Sequence, residues 1–159
     1  MRYFVFLLLL PFSALAEGER AGDFDYYVLA LSWSPTWCAL EGDARQSPQC
    51  DRDFGWVLHG LWPQYEEGWP SYCSGPQRNP SRQMTAAMAD ITGTSGLAWH
   101  AWNKHGRCSG LSAEDYFAQS RNAFNAVTRP EILRKLDKSV TVPASVIAAA
   151  CLEERPTLF

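Results

Sequence analysis

The sequence predicts a single domain of mixed secondary structure, with strands first and helices after. Three observations carry that reading. Phe24 to Trp33 (FDYYVLALSW) and Phe54 to His59 (FGWVLH) are short runs rich in residues that favour strands. From Ser81 onward, apolar residues recur at helical spacing. No internal repeat, low-complexity tract or linker interrupts the 159 residues, a length sufficient for one domain with a real core.

The elements follow in chain order. Residues 1–16 read as a secretory signal: Arg2 is a short positive start, Tyr3 to Phe12 is almost wholly apolar, and Ala14-Leu15-Ala16 is a cleavage site. The apolar run is too short to span a bilayer, and the mature chain is expected to begin at Glu17. Phe24 to Trp33, apolar on both faces towards its end, predicts a central strand closed by Ser34-Pro35-Thr36. Residues 37–53 predict a loop. Phe54 to His59 predicts a second strand, with Gly60 to Pro63 turning out of it and His59 displayed at its end. Gln64 to Pro80 is rich in Gly and Pro and predicts a long irregular loop carrying Tyr65, Trp69, Tyr72 and Cys73. Ser81 to Asp90 predicts a short helix with Met84, Ala87 and Met88 on one face. Around Trp99 to His105 a further helix is expected, ended by Gly106 in the left-handed position after its last turn. Ser112 to Asp115 opens the next with a capping-box-like start, burying Tyr116, Phe117, Ser120 and Phe124. Helices are also expected over Pro130 to Asp137 and from Thr141 to about Glu154, the last with a core face of Val146, Ile147 and Ala150.

Composition narrows the function classes. The formal charge is −3, or −4 once Arg2 leaves with the signal, so bulk attraction to nucleic acid is absent. A catalyst that must release its substrate does not need that attraction. Seven tryptophans and six tyrosines are many for this length and supply core filling or stacking platforms. Export would make disulfides of Cys38, Cys50, Cys73, Cys108 and Cys151, with one thiol left over.

Chemistry concentrates in Trp99-His100-Ala101-Trp102-Asn103-Lys104-His105-Gly106-Arg107-Cys108, which holds two of the three histidines. On a helix with His100 at zero, Lys104 falls at about 40°, Ala101 at about 100° and His105 at about 140°, so the four share one side. Two imidazoles and an ammonium on one face suit proton transfer beside an anion. The third histidine, His59, lies far upstream. A buried, merely structural histidine is the bland alternative, outweighed by the adjoining glycine, the turn aromatics and the second cluster. A zinc hydrolase using His59, His100 and His105 is a rival, but no C-x-x-C pair or H-E-x-x-H spacing supports it.

His59-Gly60-Leu61-Trp62-Pro63 resembles the first catalytic signature of the ribonuclease T2 family, the secreted acid ribonucleases. Trp102-Asn103-Lys104-His105-Gly106-Arg107-Cys108 resembles the second, and Leu31-Ser32-Trp33-Ser34-Pro35 is similar to the family's N-terminal strand. The resemblance runs from about Phe24 to the end. It implies a bacterial-type member with an α+β fold, a central antiparallel sheet packed on helices. It also implies endonucleolytic, metal-independent cleavage of single-stranded RNA through a 2′,3′-cyclic phosphate, with no cofactor. By position, His105 would be the base, His59 the acid, His100 a phosphate ligand and Lys104 the cation at the transition state. Trp62 would hold the base with Gln64, which stands where some members carry an acidic residue. Trp69 and Tyr72 are further candidates for stacking on RNA. DNA, lacking the 2′-hydroxyl, would not be cut.

The chain departs from the pattern twice. Ala101 stands where the family carries glutamate, which predicts a slower enzyme rather than a dead one. The family also continues to a C-terminal strand region with another cysteine pair, which predicts that 17–159 is a single domain incomplete at its C-terminal end. The alternative function is a non-catalytic RNA-binding or toxin-like relative. Disulfides Cys38–Cys50 and Cys73–Cys108 are expected, the second tying the aromatic loop to the catalytic helix and leaving Cys151 unpaired. The mature protein is expected to be a secreted or periplasmic monomer without a membrane span.

Overall fold

Two strands form the sheet of the computed structural model, which describes residues 19–135 and 140–153. Residues 1–18, which include the segment expected as a signal, lie outside the described residues. β1 (Tyr26–Trp33) and β2 (Trp56–Gln64) run antiparallel, with Tyr26 opposite Gln64 and Trp33 opposite Trp56. The register slips once. Ala30 faces Gly60 while Leu31 faces Leu58, so His59 has no partner across the pair. An extra residue of this kind is a β-bulge, which bends the strand and re-aims a side chain. His59 therefore stands at a bulge inside β2, not at the strand end, and Gly60 to Pro63 continue the strand instead of turning out of it. Pro63 is tolerated because, among the described residues, β2 has only β1 beside it. For the same reason β1 is not a central strand: Tyr26 and Val28 are 43% and 37% exposed.

The segment expected as a loop over residues 37–53 begins as helix. α1 (Ser34–Trp37) runs into a π turn over Cys38–Gly42. Cys38 and Cys50 are bridged with Cα atoms 5.6 Å apart, and Gln49 Nε2 donates to Ser34 Oγ at 2.8 Å. The helix expected over Ser81 to Asp90 is broken at Met88 into α2 (Arg82–Ala87) and α3 (Ala89–Thr92). The buried residues of the two pieces are Thr85, Met88, Ile91 and Thr92, while Ala87 faces solvent.

α4 (Ser95–Lys104) starts at Thr94, whose Oγ1 accepts from Leu97 N at 3.1 Å. His105 caps its C-terminal end. Gly106 does not take the left-handed position; it opens a 3₁₀ turn, Gly106–Ser109, and Gly110 at φ 77° makes the left-handed exit. Gly106 is required for space: a Cβ there would stand 2.7 Å from the Trp102 ring and 2.8 Å from the Tyr116 ring. α5 (Ala113–Ala126) begins at Ser112, whose Oγ accepts from Asp115 N at 3.1 Å, and it buries the four residues expected.

Two C-terminal expectations change. The helix expected over Pro130 to Asp137 is a 3₁₀ turn, Glu131–Lys135, and its last two residues lie outside the described ones. α6 (Ala144–Glu153) is helical but buries no residue; Val146 and Leu152 are 50% and 57% exposed. An apolar pattern shows that a helix can bury a face, and here none of its residues is fully buried. Among the described residues no helix is long and apolar enough to cross a membrane.

The core lies between β2 and the helices. Leu58 and Leu61 from the strand meet Ile91, Ala98, Trp102, Tyr116 and Phe117. The Tyr116 hydroxyl donates to the Leu61 carbonyl at 3.0 Å, deep in this layer. Cys73 and Cys108 form the second disulfide, Cα atoms 5.0 Å apart, and Cys151 is free. Replacing both Cys73 and Cys108 by serine is expected to lower unfolding free energy by about 2–5 kcal/mol, because the closed loop loses its constraint on the unfolded chain. Denaturant titration of the oxidised parent and the double variant measures this; equal midpoints would contradict it.

Candidate active site

The three histidines and Lys104 line one cleft of about 380 Å³, together with Val28, Trp62, Gln64 and Trp69. β2 supplies His59 from its bulge, then Trp62 and Gln64. α4 supplies His100 and Lys104 from its last turns and His105 at its cap. Trp69 comes from the loop after β2, where it is 58% exposed. Tyr72 is not among the lining residues. Its backbone N–H donates to the Lys104 carbonyl at 2.8 Å, and its φ of 52° is unusual for a residue with a Cβ. Val28 was not legible as a site residue: only the register, which sets it opposite Trp62, brings it to the cleft.

Helical phase sorts the residues of α4 more finely than a shared side implies. Ala98, Ala101, Trp102 and His105 are buried, and His100 is at the surface. Ala101, expected in the middle of the open catalytic face, is 4% exposed and packs towards Gly60 of β2. The reason is that the C-terminal half of α4 lies against β2, which turns the 101 position inward.

Trp62 is the centre of the geometry. Its ring stacks on His105 at 4.7 Å and 19°, and meets His59 edge-on at 5.4 Å and 67°. Burial, then the charges of Lys104, His100 and His59, pushes the His105 imidazole down to about 4. Burial, then His100 and Lys104, lowers His59 from its ordinary 6.5. His105 is 6% exposed, and its Nδ1 is buried without a hydrogen-bond partner among the described residues.

The imidazole nitrogens of His59, His100 and His105 do not gather within 4.8 Å of one another, as a three-ligand zinc site requires. Among the described residues the one grouping that meets this distance is Cys38, Asp43 and Cys50, and its two sulfurs are joined as a disulfide. What the cleft offers chemically is two proton-exchanging groups and an ammonium around a space open to a large polar substrate.

An α+β domain with an antiparallel strand pair and a cleft lined by three histidines and a lysine is thus the class that fold and site define. The chain belongs to the Ribonuclease T2 family, whose sequence profile matches residues 24–147. It is 46% identical over 112 residues to a ribonuclease of Aeromonas hydrophila, covering 69% of this chain and 50% of that one. A probable ribonuclease of Haemophilus influenzae is 38% identical over 120 residues, covering 67% and 44%. The chain thus spans about half the length of these curated relatives. Among solved structures, a variant of RNase MC1, a protein of bitter gourd seeds, in complex with 5′-UMP aligns with a TM-score of 0.65 at 18% identity, over 83% of this chain and 74% of that one. RNase NT in complex with 5′-AMP aligns at 0.59 and 24%, over 82% and 72%. These likenesses establish the fold.

Because burial favours the neutral form, the His105 ring is expected to titrate by NMR at about 4. The unfolded chain then binds more protons than the folded one between about 4 and 6.5. This group's contribution to stability is therefore complete above 6.5, declines as pH falls through that window, and changes no further below about 4. A midpoint at or above the ordinary 6.5 would contradict the burial argument.

Proposed function

We propose that this chain is an endoribonuclease that cleaves single-stranded RNA by transfer to a 2′,3′-cyclic phosphate, without a metal. The observation that carries the reading is the meeting, in one cleft, of His59 from β2 with His100, Lys104 and His105 from α4. The nucleophile is the ribose 2′-hydroxyl of the substrate itself, so no covalent enzyme intermediate is needed. His105 takes the 2′-hydroxyl proton as the oxygen attacks phosphorus. His59 gives a proton to the departing 5′-oxygen. Each transfer contributes roughly 10²–10⁴ in rate. Lys104 and His100 lie where positive charge offsets the charge gathering on the phosphoryl oxygens. Trp69, Val28 and Gln64, which also line the cleft, are available to a base, and Gln64 offers an amide that both donates and accepts. DNA lacks the attacking hydroxyl and is not a substrate.

Two disulfides and the apolar run at 1–16 support export to an oxidising space, secreted or periplasmic. An acidic working range follows from the two histidines. The base is competent when neutral, above about 4. The acid is competent when protonated, below a value that itself lies under 6.5. The product of the two fractions rises with pH through the first value and falls through the second. The rate is therefore expected to peak between about 4 and 6.5 and to decline towards neutrality. Assay of homopolymeric RNA in excess chelator across that range, with detection of the cyclic phosphate, measures this. A maximum above pH 7, as an order-of-magnitude bound on both shifts, or loss of cleavage in chelator would defeat the mechanism. Binding of RNA without cyclic-phosphate product would favour the non-catalytic reading.

His59→Ala and His105→Ala are each expected to abolish cleavage while leaving far-UV circular dichroism unchanged. Retention of activity within about tenfold of the parent by either variant would remove that histidine from its role.

A further inference from the structure

The segment that precedes β1 is bound both to the turn after α4 and to the loop after β2. Gly22 N–H donates to the Cys108 carbonyl at 2.9 Å, and Arg20 makes a parallel bridge with Ser74. A Cβ at Gly110 would stand 3.0 Å from Gly22 Cα, so the two backbones approach closely. Two carboxylates of the segment reach the loop after β2. Asp25 Oδ2 accepts from Glu66 N at 2.8 Å, while Asp25 N donates to the Gln64 carbonyl at 2.8 Å. Glu19 Oε2 accepts from Ser71 N. Between these points the chain turns on Gly68, at φ 83°, and Tyr65 N donates to the Gly68 carbonyl at 3.1 Å. Pro70 there is fully buried, while Trp69 is exposed. Gln64 and Trp69 both line the cleft; Asp25 and Glu19 do not.

We propose that Asp25 and Glu19 are positioning residues for substrate recognition, their carboxylates holding the two ends of the loop that sets Trp69 beside the bound nucleotide. This rests on the reading of the cleft as a site for RNA. A carboxylate that accepts from a backbone N–H makes a charge-assisted bond, stronger than a neutral one. Bonds at Glu66 and Ser71 bracket Trp69 and Pro70 and remove conformations that the loop would otherwise sample. An indole held in place before binding spares the substrate the cost of ordering it. That gain is equal in the ground state and the transition state, so it appears in KM and not in kcat. Asp25 acts at two points: its backbone N–H fixes where the strand ends at Gln64, and its carboxylate fixes where the loop begins. After burial, the charges that act on His105 are those of Lys104, His100 and His59, with no carboxylate among them. Proton transfer is therefore independent of the segment's charges.

Asp25→Ala and Glu19→Ala remove the acceptors, singly and together, whereas Asp25→Asn and Glu19→Gln keep an acceptor oxygen without the charge. Amide hydrogen exchange at Glu66 and Ser71 is followed by NMR without substrate, and kcat and KM are measured on a dinucleoside monophosphate. Exchange at the amide that loses its acceptor is expected to quicken by about tenfold or more in the alanine variants, and by less in the amide variants. In the double alanine variant KM is expected to rise by about fivefold or more with kcat within about threefold of the parent. The His105 midpoint is expected to stay at about 4. In a Trp69→Ala background the two alanine changes are expected to raise KM by less than about twofold further, because the indole they place is gone. The single variants preserve the test where the double variant does not fold. Unmoved exchange at both amides, a loss confined to kcat, amide variants as impaired as the alanine ones, or a full effect in the Trp69→Ala background would each overturn the proposal. The exchange measurement needs no turnover. A chain that cleaves no RNA but shows the faster exchange would refute the function, and the recognition role with it, while leaving the carboxylates' hold on the loop intact. A chain that cleaves RNA with exchange and KM unmoved would refute this proposal alone.

Discussion

Trp102, wholly buried, is the side chain on which the cleft depends. It projects from α4 into the layer shared with β2 and α5, where its ring meets Tyr116 at 5.7 Å and Phe117 at 6.4 Å. Its indole N–H donates to Asn79 Oδ1 at 3.4 Å, and its ring leaves room for nothing larger than glycine at 106. Tyr116 closes the other side with its hydroxyl on the Leu61 carbonyl, one residue from Trp62. Through these contacts α4 is pressed onto β2, and residues more than forty positions apart in sequence come to share a cleft. Truncating a buried tryptophan of this kind typically costs about 3–5 kcal/mol.

The chemistry of the cleft follows from that packing. Pressing α4 onto β2 takes His105 out of water and half-buries His59, and both imidazoles lose proton affinity as a result. The like charges of His100 and Lys104 work in the same direction. In the proposed reaction such a pair is matched to acidic surroundings, where a weakly basic imidazole is neutral while its partner still carries a proton. Low basicity is the cost of availability. On the proposed mechanism Lys104, whose charge adds to the burial that depresses the histidines, also meets the phosphate, so substrate charge would oppose that part of the depression.

The disulfide Cys73–Cys108 secures the rim. It joins the loop after β2 to the 3₁₀ turn that follows α4, and the backbone of Tyr72 bonds to Lys104 beside it. The bridge thus fixes the end of the helix that carries Lys104 and His105, while Trp69 on the same loop reaches the cleft wall. α6 makes no comparable contribution: its residues are half-buried or exposed, despite an apolar composition.

Much was legible in the order of residues alone. Local chemistry identified the strands near 26 and 56, the Ser112 cap, the Cys38–Cys50 staple and the histidine–lysine cluster, because each depends on neighbours close in sequence or on strongly constrained residue types; the Cys73–Cys108 pair, 35 residues apart, came from the motifs it joins. The same local signals could not set what depends on long-range packing. The bulge at His59 arises from the register between β1 and β2, which no single strand encodes. The role of Gly106 comes from rings of Trp102 and Tyr116 that converge on it, not from a backbone angle. Helical phase put Ala101 on the side of the catalytic groups, but only the position of β2 decided that this edge of the helix faces inward. Val28 entered the cleft, and Trp62 came to lie between two imidazoles, through the same cross-strand geometry. Sequence by itself determined which groups this protein has for moving protons. Tertiary structure decided which of them touch and how dry they are, because contact and burial are set by elements distant along the chain.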